Sequence, residues 1–160
     1  MNTDIDTDIE ALAALFIARE MQCAVAESCT GGLLGAHITR LPGASRWFAG
    51  GIVVYDNRIK MRLLGIEPAL LHEHGAVSEQ TALHMALGVC KLLDVPAAVS
   101  ITGIAGPDGG SHEKPVGLTW IGSALYGVAR ARSFHFQGSR EQVRQAACAE
   151  ALRCLLAQFS

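Results

Sequence analysis

The sequence has few charged residues and no marked excess of either sign. Asp, Glu, Lys and Arg make up 18% of the 160 residues, half of the residues are hydrophobic, and the formal net charge is −2. This composition excludes the polar, highly charged class of disordered chains, and the length is that of one domain with a substantial core. Because Lys and Arg are not in excess, nucleic acid has no overall attraction for the chain and is not an expected partner.

Long apolar runs and targeting signals are also missing. No run approaches the roughly 20 apolar residues that span a bilayer. The start of the chain, MNTD, lacks the positively charged region of a signal peptide. The sequence therefore predicts a soluble cytoplasmic protein without a membrane partner.

Cysteine and histidine patterns typical of metal sites are absent. The cysteines are odd in number and form no C-x-x-C pair, which indicates neither a disulfide framework nor a zinc site. His72 and His74 flank Glu73 without the H-E-x-x-H spacing, so the end of a solvated helix is the simpler interpretation. We expect no metal, and the cysteines are expected to be small buried hydrophobes. They are Cys23, Cys29, Cys90, Cys148 and Cys154.

Helical and strand patterns alternate along the chain. Apolar and β-branched runs predict strands at residues 23–27, 47–55 (with a bulge at the Gly50-Gly51 pair), 95–102, 116–128 and 129–136. Helical spacing and capping residues predict a helix to about residue 21, one that opens at 30–32 and reaches residue 40, a short one capped by Asp56 or Asn57, a longer one capped by Ser78, and a last one opened by a Ser139–Gln142 capping box. The expected fold is a three-layer α/β sandwich around a mixed β-sheet, a single domain over residues 1–160 with a flexible segment 1–7.

A serine lies where a predicted strand passes into a predicted helix, in the segment ESCTGG at residues 27–32. A serine there is well placed to act as a nucleophile. The unpaired N–H groups at the helix start, near Thr30, Gly31 and Gly32, can bind the oxyanion that its attack produces. The segment contains no G-x-S-x-G elbow. From the pattern alone, Ser28 or Thr30 as a helix N-cap is the simpler interpretation.

Such a serine needs a base from elsewhere in the chain. Lys60 is expected in the first turn of the helix after Tyr55, where the helix dipole and partial burial both favour the neutral amine. Tyr55 can orient that amine or relay its proton. Alternatives stay open: Lys60 as a solvated charge with Tyr55 as an ordinary strand aromatic, or His37 or His135 as the base. An S-x-x-K match at 111–114 lies between glycines and a proline instead of on a helix, where this motif acts.

A glycine-rich loop over residues 103–115 follows the predicted strand 95–102. Its N–H groups, including those of Gly103 and Gly106, together with Thr102, are candidates for binding phosphate or ribose. Neither nucleotide-binding fingerprint, G-x-x-x-x-G-K-[ST] or G-x-G-x-x-G, is present, so a structural turn explains the loop equally well. Arg140, at the start of the last helix, is a further candidate phosphate ligand, although a surface role is commoner for arginine.

Together these segments resemble the CinA C-terminal domain family, along nearly the whole chain. The likeness rests on AESCTGG at 26–32, Tyr55 with Asn57 and Lys60, HGAVS at 74–78, GIAGPDGG at 103–110, KPVG at 114–117 and GSR at 138–140. The family is known for nicotinamide-nucleotide amidase activity. The resemblance therefore implies hydrolysis of nicotinamide mononucleotide to nicotinic acid mononucleotide and ammonia, without a cofactor. It also implies the stand-alone form of the family, without the N-terminal domain of longer relatives, and a homodimer.

The family's serine–lysine machinery, assisted by a tyrosine, maps onto Ser28, Lys60 and Tyr55. We expect neutral Lys60 to deprotonate Ser28, whose oxygen attacks the carboxamide carbon. Ammonia then leaves an acyl-enzyme that water, activated by the same amine, hydrolyses. The expected substrate-binding residues are Thr30, Gly31, Gly32, Asn57, Thr102, Gly103, Gly106 and Arg140.

Two other functions fit parts of the sequence. Cys29 is a candidate thiol nucleophile, but the sequence places no histidine or other cation beside it to activate the thiol. A nucleotide-binding or assembly module without turnover would need only the 103–110 loop.

Overall fold

Strands and helices alternate in the computed structural model, which describes residues 3–160 except for the side chain of Thr3. The strands are β1 (Cys23–Glu27), β2 (Phe48–Val53), β3 (Ala97–Gly103), β4 (Leu118–Leu125) and β5 (Val128–His135). The helices are α1 (Thr3–Ala18), α2 (Leu33–Thr39), α3 (Asn57–Leu64), α4 (Pro68–His74), α5 (Glu79–Leu93) and α6 (Arg140–Leu156), with 3-10 turns at Ala44–Arg46 and Ala157–Phe159.

The strands form one mixed sheet in the order β2-β1-β3-β4-β5. β1 runs parallel to β2 and β3, whereas β3, β4 and β5 are antiparallel in turn. The β4–β5 hairpin turns at Tyr126 and Gly127, whose φ angles of 49° and 81° are those that a two-residue hairpin loop favours. The predicted bulge lies at Ala49, one residue before the glycine pair, where the register between β1 and β2 shifts.

Helices cover both faces of the sheet. α1, α2 and α6 pack on one face, where Phe16, Val25 and Leu152 are fully buried. α3, α4 and α5 pack on the other face, against Ala26 and Ala98 of β1 and β3. The predicted three-layer α/β sandwich around a mixed sheet is confirmed. No helix within residues 3–160 combines the length and the apolar character needed to cross a membrane.

The N-terminal segment differs from the prediction. α1 begins at Thr3, so residues 3–7 of the segment expected to be flexible are helical, and residues 1 and 2 lie outside the described part of the chain. Ile5 explains the difference, because its side chain is 1% exposed and extends the buried stripe of Ile9 by one turn. Asp4 and Asp6 lie in the first turn, where carboxylates favour the helix dipole.

The sheet brings the two glycine-containing segments to the same edge. β1 and β3 are parallel neighbours, so the residues after Glu27 and after Gly103 emerge side by side. The Ser28 N–H extends the ladder by one bond, to the Ile101 carbonyl oxygen at 3.0 Å. Ligands of open α/β sheets bind beyond the carboxyl ends of the strands, and Ser28 lies there.

Candidate active site

Lys60 reaches Ser28 from the neighbouring helix. Its Nζ lies 3.0 Å from Ser28 Oγ and 3.0 Å from the carbonyl oxygen of Tyr55. The two side chains are buried, with Lys60 1% and Ser28 8% exposed. Burial lowers the pKa of Lys60, an effect that interactions with Cys29 and Asp56 oppose. The structure therefore joins the predicted nucleophile to an amine that is shifted toward its neutral form.

The start of α3 sets the position of Lys60. Asp56, one of the two residues predicted as the cap, is the N-cap, and its carboxylate accepts the Arg58 N–H at 2.8 Å. Hydrogen bonds from Arg58 hold the pKa of Asp56 below its usual value. Lys60 is the fourth residue of this capped helix and extends back toward β1. Asn57, predicted to bind substrate, has an exposed side chain at the first helical position.

Glu27 is a site residue that sequence reasoning missed. Its side chain is 2% exposed, and its carboxylate accepts the N–H groups of Gly32, Leu34 and Gly35 at 3.1, 3.1 and 2.9 Å. Gly32 is the N-cap of α2 but has no side chain to cap it, so the glutamate beside Ser28 supplies the acceptors. The signal was present in the sequence: a glutamate that ends an apolar strand and directly precedes the serine.

Two of the three predicted oxyanion donors are already engaged. The Gly32 N–H donates to Glu27, and the Gly31 N–H donates to the Ser28 carbonyl oxygen at 3.1 Å. Neither N–H is unpaired in the structure, because the turn is closed by its own residues. The Thr30 N–H has no acceptor within residues 3–160, and the Thr30 Oγ1 is buried there without a hydrogen-bond partner.

Tyr55 contributes through its backbone. Its carbonyl oxygen holds the Lys60 amine, whereas its ring is 60% exposed and its hydroxyl accepts a hydrogen bond from Arg140 at 3.1 Å. Arg140 also donates to the Gly106 carbonyl oxygen at 2.8 Å. The hydroxyl is therefore not the group that orients Lys60, because the strand end places the carbonyl at that amine instead. Arg140 joins the end of β2 to the glycine-rich loop beside the site.

The other predicted binding residues of the loop hold the structure together. Thr102 is 1% exposed, and its hydroxyl donates to the Ala76 carbonyl oxygen at 2.7 Å, which ties β3 to the 74–78 segment. A Cβ at Gly103 would lie 2.7 Å from Thr119 Oγ1, so this glycine permits close packing against β4. At Gly106, it is the carbonyl that is used, as the acceptor for Arg140.

The rival nucleophile and bases are placed elsewhere or remain inactive. Burial raises the pKa of the Cys29 thiol to about 11, which keeps the thiol protonated near neutral pH. His37 bonds to Gln145 at 2.9 Å, and His135 bonds to the Val116 carbonyl oxygen at 3.0 Å, so neither contacts Ser28. In the S-x-x-K match at 111–114, the Lys114 amine donates to the His74 carbonyl oxygen at 2.6 Å. Within residues 3–160, no group of three or more His, Cys, Asp or Glu side chains could hold a metal ion.

The chain matches a known family along its length. The family model for the CinA C-terminal domain matches residues 6–159. The chain belongs to this CinA family. A CinA-like protein of Thermosynechococcus vestitus is 51% identical over 138 residues, which cover 86% of this chain, and a CinA-like protein of Geobacter is 45% identical over 146 residues, which cover 91%. The family membership predicted from the motifs is confirmed.

Solved structures of the CinA family share the fold. The competence/damage inducible protein CihA of Agrobacterium tumefaciens is 37% identical and superposes with a TM-score of 0.95. The match covers 98% of this chain and 96% of that protein. A CinA superfamily protein of Escherichia coli is 32% identical with a TM-score of 0.93, and the match covers 100% of this chain and 93% of that protein. The CinA-like relatives from sequence are longer, and the chain spans only about a third of their length, 33% and 35%.

Proposed function

We propose that this CinA-family chain is an amide hydrolase in which Ser28 is the nucleophile and Lys60 the general base. The Nζ–Oγ distance of 3.0 Å carries the proposal, because a buried lysine bonded to a serine is the arrangement that activates the hydroxyl. The Tyr55 carbonyl can only accept a hydrogen bond, so it fixes one N–H of the amine. The neutral amine also has a lone pair, which can accept the Ser28 proton over the 3.0 Å between Nζ and Oγ.

The reaction proceeds in two halves. In the first, Lys60 takes the Ser28 proton while Oγ forms a bond to the carboxamide carbon. The resulting ammonium delivers a proton to the amide nitrogen, and the C–N bond breaks to release ammonia. In the second half, Lys60 takes a proton from water, which attacks the acyl-enzyme, and Ser28 leaves with that proton restored.

The negative oxygen of the tetrahedral intermediate needs a donor. The Thr30 N–H is our candidate, since the neighbouring N–H groups of Gly31 and Gly32 are bonded within the turn. A fixed backbone donor costs no reorganisation during the reaction. The hydroxyl of the same threonine is buried and has no hydrogen-bond partner within the described residues.

The substrate we propose is nicotinamide mononucleotide, with nicotinic acid mononucleotide and ammonia as products. The CinA resemblance supports this choice, as does Arg140, whose guanidinium stands between Tyr55 and the Gly106 loop at the edge of the site. Two of its five N–H donors are engaged there, which leaves others for a phosphate. We further propose that the protein is cytoplasmic and that it forms a homodimer. Light scattering of the purified protein would establish the dimer.

Ammonia release tests the function directly. The purified chain is incubated with nicotinamide mononucleotide, and ammonia and the product acid are both quantified, with Ser28→Ala as the matched control. Stoichiometric ammonia and acid from the wild type alone would support the proposal. Binding of the mononucleotide without turnover would instead identify a binding module, and rapid inactivation by iodoacetamide with protection by substrate would return the nucleophile's role to Cys29.

A further inference from the structure

A cleft lies on the opposite face of the sheet from Lys60. It has a volume of about 320 Å³ and opens between β4, β5 and the end of α6. This face carries α6, whereas Lys60 belongs to α3, which packs on the other face. The principal lining residues are Ile121, Ser123, Arg130, Arg132, Cys154 and Gln158.

The strand register brings two arginines to this cleft. Arg132 is paired with Ile121 and Arg130 with Ser123 across the β4–β5 ladder. Alternate residues of a strand share one face, so these four side chains form a square on the α6 side of the sheet. Two guanidinium groups therefore border the same small volume.

Neither guanidinium has a carboxylate partner. Within residues 3–160, the guanidinium groups of Arg130 and Arg132 form no salt bridge and donate no hydrogen bond, and that of Arg132 only lies over the Phe134 ring at 5.3 Å. Glu150, whose charge acts on Cys154 in this cleft, pairs instead with Arg153 at 2.6 Å. The cleft thus has two cations whose hydrogen-bond donors are unused.

The remainder of the cleft combines one more donor with apolar surface. Ser123 is 4% exposed, and its Oγ accepts a hydrogen bond from Gln158 at 2.8 Å, which leaves its O–H available to donate. Ile121 and Ala157 contribute apolar contact area. Small-molecule sites typically have this character: a mostly apolar concavity with a few convergent polar groups.

We propose that this cleft binds a small organic phosphate monoester. The phosphate oxygens accept hydrogen bonds from Arg130 and Arg132, and the apolar part of the ligand contacts Ile121 and Ala157. Two adjacent guanidiniums suit a dianion with several acceptor oxygens better than a neutral or singly charged group. The site does not depend on the amide hydrolase activity, because Lys60 packs on the other face of the sheet and Ser28 lies beyond the end of β1.

The test uses phenyl phosphate as the probe and two-dimensional amide NMR of the full chain at constant ionic strength. We expect saturable shifts of amides in 121–132 and 154–158, and binding at least about tenfold weaker in the Arg130→Gln/Arg132→Gln double variant. Benzyl alcohol, a neutral probe of similar size, should give no saturable shift there.

A matched control separates this cleft from general attraction of anions. Arg46 is exposed and borders a different cleft, beside Glu20, so Arg46→Gln should leave phenyl phosphate binding unchanged. Three results would each overturn the proposal: shifts confined to residues near Arg140, an equal response to benzyl alcohol, or undiminished binding in the double variant. Both arginines are exposed, so thermal unfolding of the double variant should match the wild type and show that the loss is local.

Discussion

Glu27 and Gly35 are eight residues apart in sequence, yet Glu27 Oε1 lies 2.9 Å from the Gly35 N–H. This bond, with those to Gly32 and Leu34, folds the segment after β1 back onto the residue that ends the strand. Ser28 lies inside the closed turn, so the direction of its hydroxyl depends on the glutamate beside it.

Replacement of Glu27 by glutamine should therefore reduce both stability and activity. The amide keeps the shape but turns N–H hydrogens toward backbone N–H groups, and one unsatisfied buried donor costs about 1–3 kcal/mol. Urea unfolding measures this loss, and Glu10→Gln, at an exposed position of α1, is the control. An unchanged free energy of unfolding would show that the carboxylate is dispensable for the turn.

Ser28→Ala should lower amide turnover by about three to six orders of magnitude with substrate binding retained, because only the nucleophile is removed. Lys60→Met should cause a loss almost as large, and the double variant should lose little more, since the two residues act as one unit. Lys91→Met, at an exposed lysine of α5, controls for the loss of charge. Additive losses would mean that Lys60 binds substrate instead of taking the proton.

Tyr55→Phe separates the two roles of the tyrosine. The carbonyl that holds Lys60 is unaffected by this change, so kcat and its pH dependence should stay near the wild-type values. Loss of the bond to Arg140 should raise KM for the mononucleotide by about two- to tenfold, the effect of one hydrogen bond. A proton relay through the hydroxyl would instead lower kcat by roughly 10²–10⁴-fold.

The sequence was most informative where a local rule acts alone. Asp56, Ser78 and the Ser139–Gln142 box were predicted as caps and are caps in the structure, because capping depends on a few adjacent residues. The apolar run of β1 was placed at its observed bounds for a similar reason. Of α4, only the end at residues 72–74 was anticipated, because its seven residues are too few to show a helical period.

The site required information that no local pattern contains. The pairing of Ser28 with Lys60 was proposed from a family likeness, and the 3.0 Å distance arises from the packing of α3 beside β1. Which atoms of Tyr55 and Gly32 are used depends on backbone direction, which residue type does not encode. The sequence therefore named Ser28, Lys60 and Tyr55 together but not the atoms through which they meet in the structure.

The pH dependence should report the buried amine. Because burial lowers the pKa of Lys60, kcat/KM should rise with pH through that lowered pKa and level off below the ordinary lysine value of about 10.4. Unfolding returns the amine to water, where it binds a proton more readily. Between the folded and unfolded pKa values the unfolded state holds more protons, so this group's contribution to stability rises with pH.

Lys60→Met removes that contribution and provides the check. The variant should be more stable than the wild type near neutral pH, and the difference should shrink as the pH approaches 10. Urea unfolding of both proteins at several pH values measures this difference. Parallel stability curves for the two proteins would show that Lys60 has the same pKa in the folded and unfolded states.

Arg140 should discriminate between a mononucleotide and its riboside. An amidase that recognises a mononucleotide needs a local cation for the phosphate, since the net charge of −2 supplies no overall attraction. Arg140→Ala should raise KM for nicotinamide mononucleotide by roughly ten- to hundredfold, the value of a charge-assisted hydrogen bond. The riboside, which has no phosphate, should change far less. A fall in kcat as well would indicate that the phosphate contact positions the amide.

Arg62→Ala, at an exposed arginine of α3, should affect neither substrate. Equal losses for both substrates would instead assign Arg140 to the support of Tyr55 and the Gly106 loop, which its two observed hydrogen bonds already provide.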